Sequence, residues 1–234
     1  MCPKCKSQIS WWDNIPLLSY LFLAGKCRKC KRKISLIYPV LEFLTGLFFV
    51  WWFLIGFGFF KLVGSPWMIV QPIFWLGIGL ILISIFMVDL LYMVIPFGLN
   101  VFLFVWVLTY KFALVTFGHM RLIDFFIGLS LGLVLSLFFS SVNVLTRKIR
   151  GVDGFGLGDI YMAPSLGLIL GWPKFLIGIF LSFVIGAVVG IILIVNGGKS
   201  KEDYLPFAPF LILGSLIALL YGDKLWQFYI SFLI

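Results

Sequence analysis

Seven apolar stretches, at 36–60, 68–88, 98–117, 124–145, 159–172, 174–196 and 207–222, constrain this chain more than any other feature of its sequence. A helix needs about 20 apolar residues to cross the hydrocarbon of a bilayer, and six of the seven stretches reach or approach that length. The composition points the same way. The chain is 62% hydrophobic and 12% charged, whereas a soluble domain is about half apolar and about a quarter charged. The predicted fold class is all-α: a polytopic membrane helical bundle of about seven segments, 36–234, preceded by a small N-terminal lobe, 1–35. The stretch 159–172 stands apart, because it is short and is interrupted by Pro164, Gly167 and Gly171. It is expected to be re-entrant, or to begin inside a protein-lined cavity.

The formal net charge is +9. In a soluble protein that excess would raise the question of nucleic acid. Here the cations are gathered in a few inter-helix segments, so they read as a topology signal, with no nucleic-acid partner implied. With the N-terminus in the cytoplasm, the inner pool holds Lys4, Lys6, Lys26, Arg28, Lys29, Lys31, Arg32, Lys33, Arg147, Lys148, Arg150, Lys199 and Lys201. The outer pool holds only Lys61, Lys111, Arg121, Lys174 and Lys224; if the stretch 159–172 does not span, the loops after residue 158 change sides. The inner loops would then lie near anionic head groups of the lipid bilayer. The first residues are basic, rich in cysteine and without a continuous apolar run, and they do not read as a cleavable signal peptide.

That orientation places two acids at one boundary. Asp89 closes the second stretch and Asp159 opens the fifth; both fall at the cytoplasmic face, although 70 residues separate them. A carboxylate at the end of an apolar span is expensive unless paired or wetted. Two carboxyl groups brought together cannot both ionise easily, so one keeps a proton. Such a pair can do acid–base work on a peptide bond: one member takes a proton from water while the other polarises the carbonyl. No covalent nucleophile is apparent. The single histidine, His119, is predicted on the outer side, and no serine motif accompanies it. Gly156 and Gly158 precede Asp159, and glycines beside a catalytic acid let another backbone approach closely, as an extended peptide substrate requires. The bland alternative is an Asp that simply caps a helix. Asp153 is a loop decoy, and Asp124 marks an outer helix end. Pro96 disfavours helix at Ile95, so the chain is expected to leave the second helix there.

All four cysteines lie in the first 30 residues, as Cys2-x-x-Cys5 and Cys27-x-x-Cys30 with 21 residues between the pairs. Two such knuckles can set four thiolates tetrahedrally around one Zn²⁺. The alternative is a redox pair, which the reducing cytoplasmic side disfavours. Four protein thiolates leave no position for water, so the expected role of Zn²⁺ is structural. Glu42 lies about two turns into the first span, and an ionisable group at that depth is either functional or a satisfied structural acid. The many Phe and Trp residues read as lipid-facing or interfacial. Gly178, Gly186 and Gly190 are expected to permit close helix packing.

Gly156-Leu157-Gly158-Asp159 resembles the GxGD signature of intramembrane aspartyl peptidases. Asp89 followed by Ile95-Pro96 resembles the type IV prepilin peptidase (prepilin leader peptidase/N-methyltransferase) family within that group. Three further runs agree: Trp12-Asp13-Asn14-Ile15-Pro16-Leu17-Leu18-Ser19-Tyr20, then Tyr38-Pro39 with Glu42 and Thr45-Gly46, then Pro206-Phe207-Ala208-Pro209-Phe210. The similarity covers nearly the whole chain. It implies Asp89 and Asp159 as catalytic acids cleaving the leaders of prepilins or pseudopilins in type IV pilus or type II secretion systems. It also implies the cytoplasmic (inner) membrane of a bacterium, with the site at the cytoplasmic face. A second activity is implied as well, N-methylation of the mature N-terminus with S-adenosylmethionine, in which Glu42 would help to hold a positively charged amine. Two departures from the family pattern stand out. Met1 directly precedes Cys2, where typical members carry a further helix. Met162 and Pro164 follow Asp159, where many relatives carry Lys and Leu. The readings set against the peptidase are a methyltransferase alone and a non-catalytic membrane module with a zinc-sensing lobe.

Overall fold

Long apolar runs free of helix breakers close into helices, and the breaks between them fall at proline, glycine and charge. The structure, a computed structural model, describes residues 1–56, 58, 67–196 and 205–232. Lys61, Lys199 and Lys201 of the topology reading lie outside the described residues. A 3₁₀ turn, Trp11–Asn14, leads to the short helix α1, Leu18–Phe22, and to α2, Ile37–Trp51, which continues as a π turn, Trp52–Gly56. Then come α3, Trp67–Tyr92; α4, Phe97–Thr116; α5, Leu122–Arg150; α6, Leu157–Leu170; α7, Lys174–Val195; and α8, Ala208–Ser231. The helices α2 (with its π turn), α3, α4, α5, α7 and α8 are long and apolar enough to cross a membrane. The chain divides into two compact units, Met1–Leu80 and Ile81–Ile234, the division falling within α3.

In the first unit two loops carry the cysteines, and α2 follows. In the second unit α6 is packed against α4, α5, α7 and α8. Its 14 residues span only about 21 Å, too little for the ~30 Å of hydrocarbon. From Met162 to Leu170 every residue except Pro164 is buried. The short fifth stretch is thus a central helix walled by protein, as its interruptions suggested.

Small residues set two of the seams. A Cβ on Gly128 would fall 2.9 Å from the Gly167 carbonyl oxygen, and a Cβ on Gly132 would meet Ala163 and Pro164 backbone, so α5 and α6 touch main chain to main chain. A Cβ on Gly178 would lie 3.3 Å from Ala218, and one on Gly186 lies 3.2 Å from Phe210, which brings α7 onto α8. Gly190 has nothing near it and sets no seam, contrary to expectation.

Three helices outrun their predicted ends. α3 continues past Asp89 to Tyr92 and leaves the helix at Met93, whose φ is 53°, ahead of the exit expected at Ile95; Ile81, Ile85 and Asp89 form one buried stripe at helical spacing. α5 runs on from 145 to Arg150 and stops at Gly151, whose φ of 73° ends it with a left-handed cap. α8 passes through Gly222-Asp223-Lys224 to Ser231. Those residues read as an end, but Asp223 pairs with Lys174 at 2.8 Å, and Gly222 leaves room for the Lys174 stem.

Candidate active site and candidate metal centre

Asp89 and Asp159 are each 5% exposed and lie close enough to interact electrostatically. Asp89 projects from the last turn of α3 and accepts a hydrogen bond from the Ala208 backbone N–H. Ala208 is the first residue of α8, where backbone N–H groups lack helical partners and the helix dipole favours negative charge. Asp159 is the third residue of α6, and its Oδ2 accepts the Gly156 N–H at 3.2 Å. Gly156, not Asp159, is therefore the N-cap of α6. The second oxygen of each acid, Asp89 Oδ2 and Asp159 Oδ1, is buried and has no hydrogen-bond partner. An unpartnered buried carboxyl oxygen costs about 1–3 kcal/mol or more. Such oxygens call for a partner, whether a water or a bound group.

The glycines of the loop have local reasons. A Cβ on Gly158 would meet the Ile95 side chain within 2.5 Å, so the Ile95-Pro96 run packs directly on the loop that carries Asp159. The space at Gly158 is taken by Ile95 rather than left open. A Cβ on Gly156 would crowd Asp159 Oδ2 at 3.1 Å.

Phe155 stacks on Phe139, with ring centroids 4.3 Å apart, and meets Phe207 at 5.3 Å and Phe183 at 6.2 Å. The expectation that the aromatic residues face lipid fails here: Phe139 is wholly buried. These rings draw the Phe207 run onto the Asp159 loop, while neighbouring Ala208 holds Asp89. A cavity of about 400 Å³ opens beside Asp159, lined in part by Gly154, Phe155, Leu157, Leu205 and Phe207. Arg147 and Asp153 also line it, as an ion pair with Nε–Oδ1 at 2.6 Å. The Arg147 hydrogen bond holds the Asp153 carboxyl below the usual carboxylate range.

Three polar side chains that the sequence analysis did not single out bond to the backbone around Asp159. Asn143 and Asn100 are buried and bond to the backbone of Phe155 and Gly158, and Ser136 bonds to that of Ile160. For Asn100 and Asn143 a signal was present, since a carboxamide within an apolar span is costly unless it is bonded; Ser136 gave none.

In the first unit the sulfurs of Cys2, Cys5, Cys27 and Cys30 all lie within 4.8 Å of one another. Around Zn²⁺, with Zn–S near 2.3 Å, tetrahedral sulfurs would stand about 3.8 Å apart, so the donor set fits. The two knuckles share one geometry. Cys2 N–H donates to Ser7 O and Lys6 N–H to Cys2 O; Cys27 N–H donates to Arg32 O and Lys31 N–H to Cys27 O. Lys6 and Lys31, the residues after the second cysteine of each pair, both have positive φ, 53° and 58°. Ser7 donors hold the Cys5 thiol down at about 6. Backbone N–H groups of Cys30 and Lys29 lower Cys27 as well. Despite the Arg32 backbone donor, burial and the neighbouring thiols push Cys30 up to about 11. A divalent cation would favour the thiolate form of all four. Asp13 accepts a bidentate bond from Arg28 of the second knuckle, at 2.8 and 2.7 Å. Glu42 Oε2 accepts the Leu17 N–H at 2.8 Å, which ties the segment before α1 to α2.

Comparison with known proteins assigns the chain a family. The model described as Bacterial Peptidase A24 N-terminal domain matches residues 1–55, and that described as Type IV leader peptidase family matches residues 75–191. A prepilin leader peptidase/N-methyltransferase of Aeromonas salmonicida is 33% identical over 234 residues, covering 98% of this chain and 74% of that protein. Proteins of the same name from Legionella pneumophila (32% over 242 residues; 99% and 75% covered) and Bacillus subtilis (30% over 234 residues; 98% and 84% covered) also match. No solved structure matches the chain. Six helices of membrane length among the described residues make it a multi-pass membrane protein. Within that class it belongs to the type IV leader peptidase family.

Proposed function

We propose that Asp89 and Asp159 are the catalytic acids of a peptidase that removes the leaders of type IV prepilins or pseudopilins. The observation that carries this reading is the state of the two carboxyl groups. Each has one oxygen tied to a backbone N–H and the other buried without a partner, and Asp159 borders a cavity. The ionised member takes a proton from water, whose oxygen attacks the scissile carbonyl carbon, and the protonated member gives its proton to the carbonyl oxygen. Collapse of the tetrahedral adduct breaks the C–N bond. The amine leaves with the proton taken from water, and the hydroxyl proton returns to the other acid. Gly156 and Gly158 shape the loop that presents Asp159.

The substrate is a single-pass precursor with a basic leader and an apolar helix beyond it. It belongs to a pilus or type II secretion system in the inner membrane of a bacterium. The positive-inside bias supports a site at the cytoplasmic face. The division into a lobe at 1–35 and a peptidase bundle at 36–234 follows the same logic. Cys2, Cys5, Cys27 and Cys30 would hold a structural Zn²⁺ that clips the lobe; with four thiolates it would offer water no position.

The relatives' name adds methyl transfer. S-adenosylmethionine would supply the methyl group to the new N-terminal amine. Glu42 carries the negative charge that a sulfonium or an amine calls for, while its Oε2 also anchors Leu17.

The test is cleavage of a purified prepilin in lipid by the parent chain and by Asp89→Asn and Asp159→Asn, with mass spectrometry of the product. Cleavage by the parent alone supports the acid pair, and cleavage by either variant removes that residue from the mechanism. One methyl mass on the product shows the second activity.

A further inference from the structure

The backbone on both sides of Asp159 is held by side chains from outside α6, and none of them is an acid. Asn143 on α5 is 7% exposed; its Nδ2 donates to the Phe155 carbonyl at 2.9 Å and its Oδ1 accepts the Phe155 N–H at 2.7 Å. A carboxamide carries a donor and an acceptor side by side, so it satisfies both polar groups of one residue. Two turns earlier on α5, the Ser136 hydroxyl donates to the Ile160 carbonyl at 2.8 Å. The helical partner of that carbonyl would be residue 164, but Pro164 has no N–H to give. Ser136 supplies the bond that the proline removes. From α4, Asn100 Nδ2 donates to the Gly158 carbonyl at 3.1 Å.

We propose that Asn143, Ser136 and Asn100 are positioning residues for Asp159, a role beyond the acid pair itself. The proposal rests on the reading of Asp159 as a catalytic acid. The first turn of a helix is its least restrained part, because its N–H groups lack helical partners. Within α6 and its cap, Asp159 Oδ2 is held by one bond of 3.2 Å from Gly156. The three side chains fix carbonyls 155, 158 and 160, so the carboxyl group is located from both directions. They touch neither water nor peptide in the reaction. They set where the acid stands, and a misplacement of about 1 Å can cost a hundredfold in rate.

The test measures kcat and KM for prepilin cleavage in lipid across the pH range in which the parent is active. The variants are Asn143→Ala, Ser136→Ala, Ser136→Thr and Asp159→Asn, with thermal unfolding followed in the same lipid. Asn143→Ala is expected to lower kcat by about 10- to 100-fold with KM nearly unchanged, and to alter the shape of the pH profile of kcat. Ser136→Ala is expected to lower kcat by about tenfold, and Ser136→Thr, which keeps the hydroxyl, to restore it. A loss of folded protein scales the whole profile and leaves its shape alone. If the profiles of the alanine variants superimpose on the parent's after scaling, these residues only support folding and the proposal is overturned. If Asn143→Ala does not fold, the Ser136 pair is judged by the same criterion. Cleavage by Asp159→Asn would instead overturn the acid reading beneath the proposal.

Discussion

The cysteine lobe and the acid site solve the same problem, holding reactive groups at fixed spacing, by opposite means. Each knuckle closes within six residues, 2–7 and 27–32, through its own backbone hydrogen bonds and one lysine with positive φ. Its geometry is local, and a bound ion would add the rest of the stability, as in other small metal lobes. The acid site closes over 70 residues of sequence. Asp89 is held by the start of α8, and the Asp159 loop by Asn143, Asn100, Ile95 and an aromatic cluster from three other segments. Sulfur donors in a short turn need few neighbours. Buried carboxyl groups need a scaffold, because each polar contact must be supplied by a particular distant residue.

The sharpest contrast comes from removing the acids. Asp89→Asn or Asp159→Asn keeps size and shape and is expected to cut leader cleavage by roughly a thousandfold or more, with no loss of thermal stability. A fall in the unfolding temperature as large as the fall in rate would place these residues with the scaffold. In the lobe the corresponding change is Cys27→Ser with Cys30→Ser, or a strong chelator added to the parent. The expected outcome is loss of the bound metal by elemental analysis and new proteolytic cuts within 6–26, while helices α4 to α8 stay protected. Unchanged metal content would end the zinc reading.

Smaller effects test how each region is held. Gly158→Ala drives a methyl group into Ile95 and should destabilise the second unit by about 1–3 kcal/mol, measured by denaturation in detergent. Glu42→Ala removes the acceptor of the Leu17 N–H and should cost about 1 kcal/mol, whereas Glu42→Gln keeps it. If Glu42 also holds a cation, Glu42→Gln loses methylation and retains cleavage, and a product still methylated would leave Glu42 as an anchor only.

The smallest effect belongs to the Arg147–Asp153 ion pair at the cavity wall. Arg147 lowers the folded-state value of Asp153, so its stabilising contribution is complete above the unfolded carboxylate value, about 3.9. It is lost as pH falls through the lower folded value. The pair is largely exposed and therefore weak. Asp153→Asn should lower the unfolding temperature slightly at neutral pH, and the gap from the parent should close in acid. A gap that persists there would assign the effect to packing.

Much of this was legible in the residues. The apolar runs dictated membrane helices, because backbone groups in hydrocarbon must bond to one another, and α2 to α8 all fall on predicted stretches. The four cysteines pointed to a candidate metal site through their spacing, and each knuckle closes over a short range. Asp89 and Asp159 stood out because carboxyl groups at the ends of apolar spans are costly. The ends of α3 and α8 were less legible. Asp89 lies on a buried helical stripe, and Asp223 finds Lys174 on a neighbouring helix; neither fact shows in the local sequence.

By itself, then, the sequence determined the class of fold, the candidate metal ligands and the two acids to watch, since each depends on hydropathy, spacing or the cost of a buried charge. Only the tertiary structure decided what holds the acids. The first N–H of α8 serves Asp89, Ser136 replaces the N–H that Pro164 lacks, and Asn143 clamps Phe155. These are pairings between one polar group and one distant partner, and a one-dimensional pattern carries the need for such a partner without saying which residue meets it.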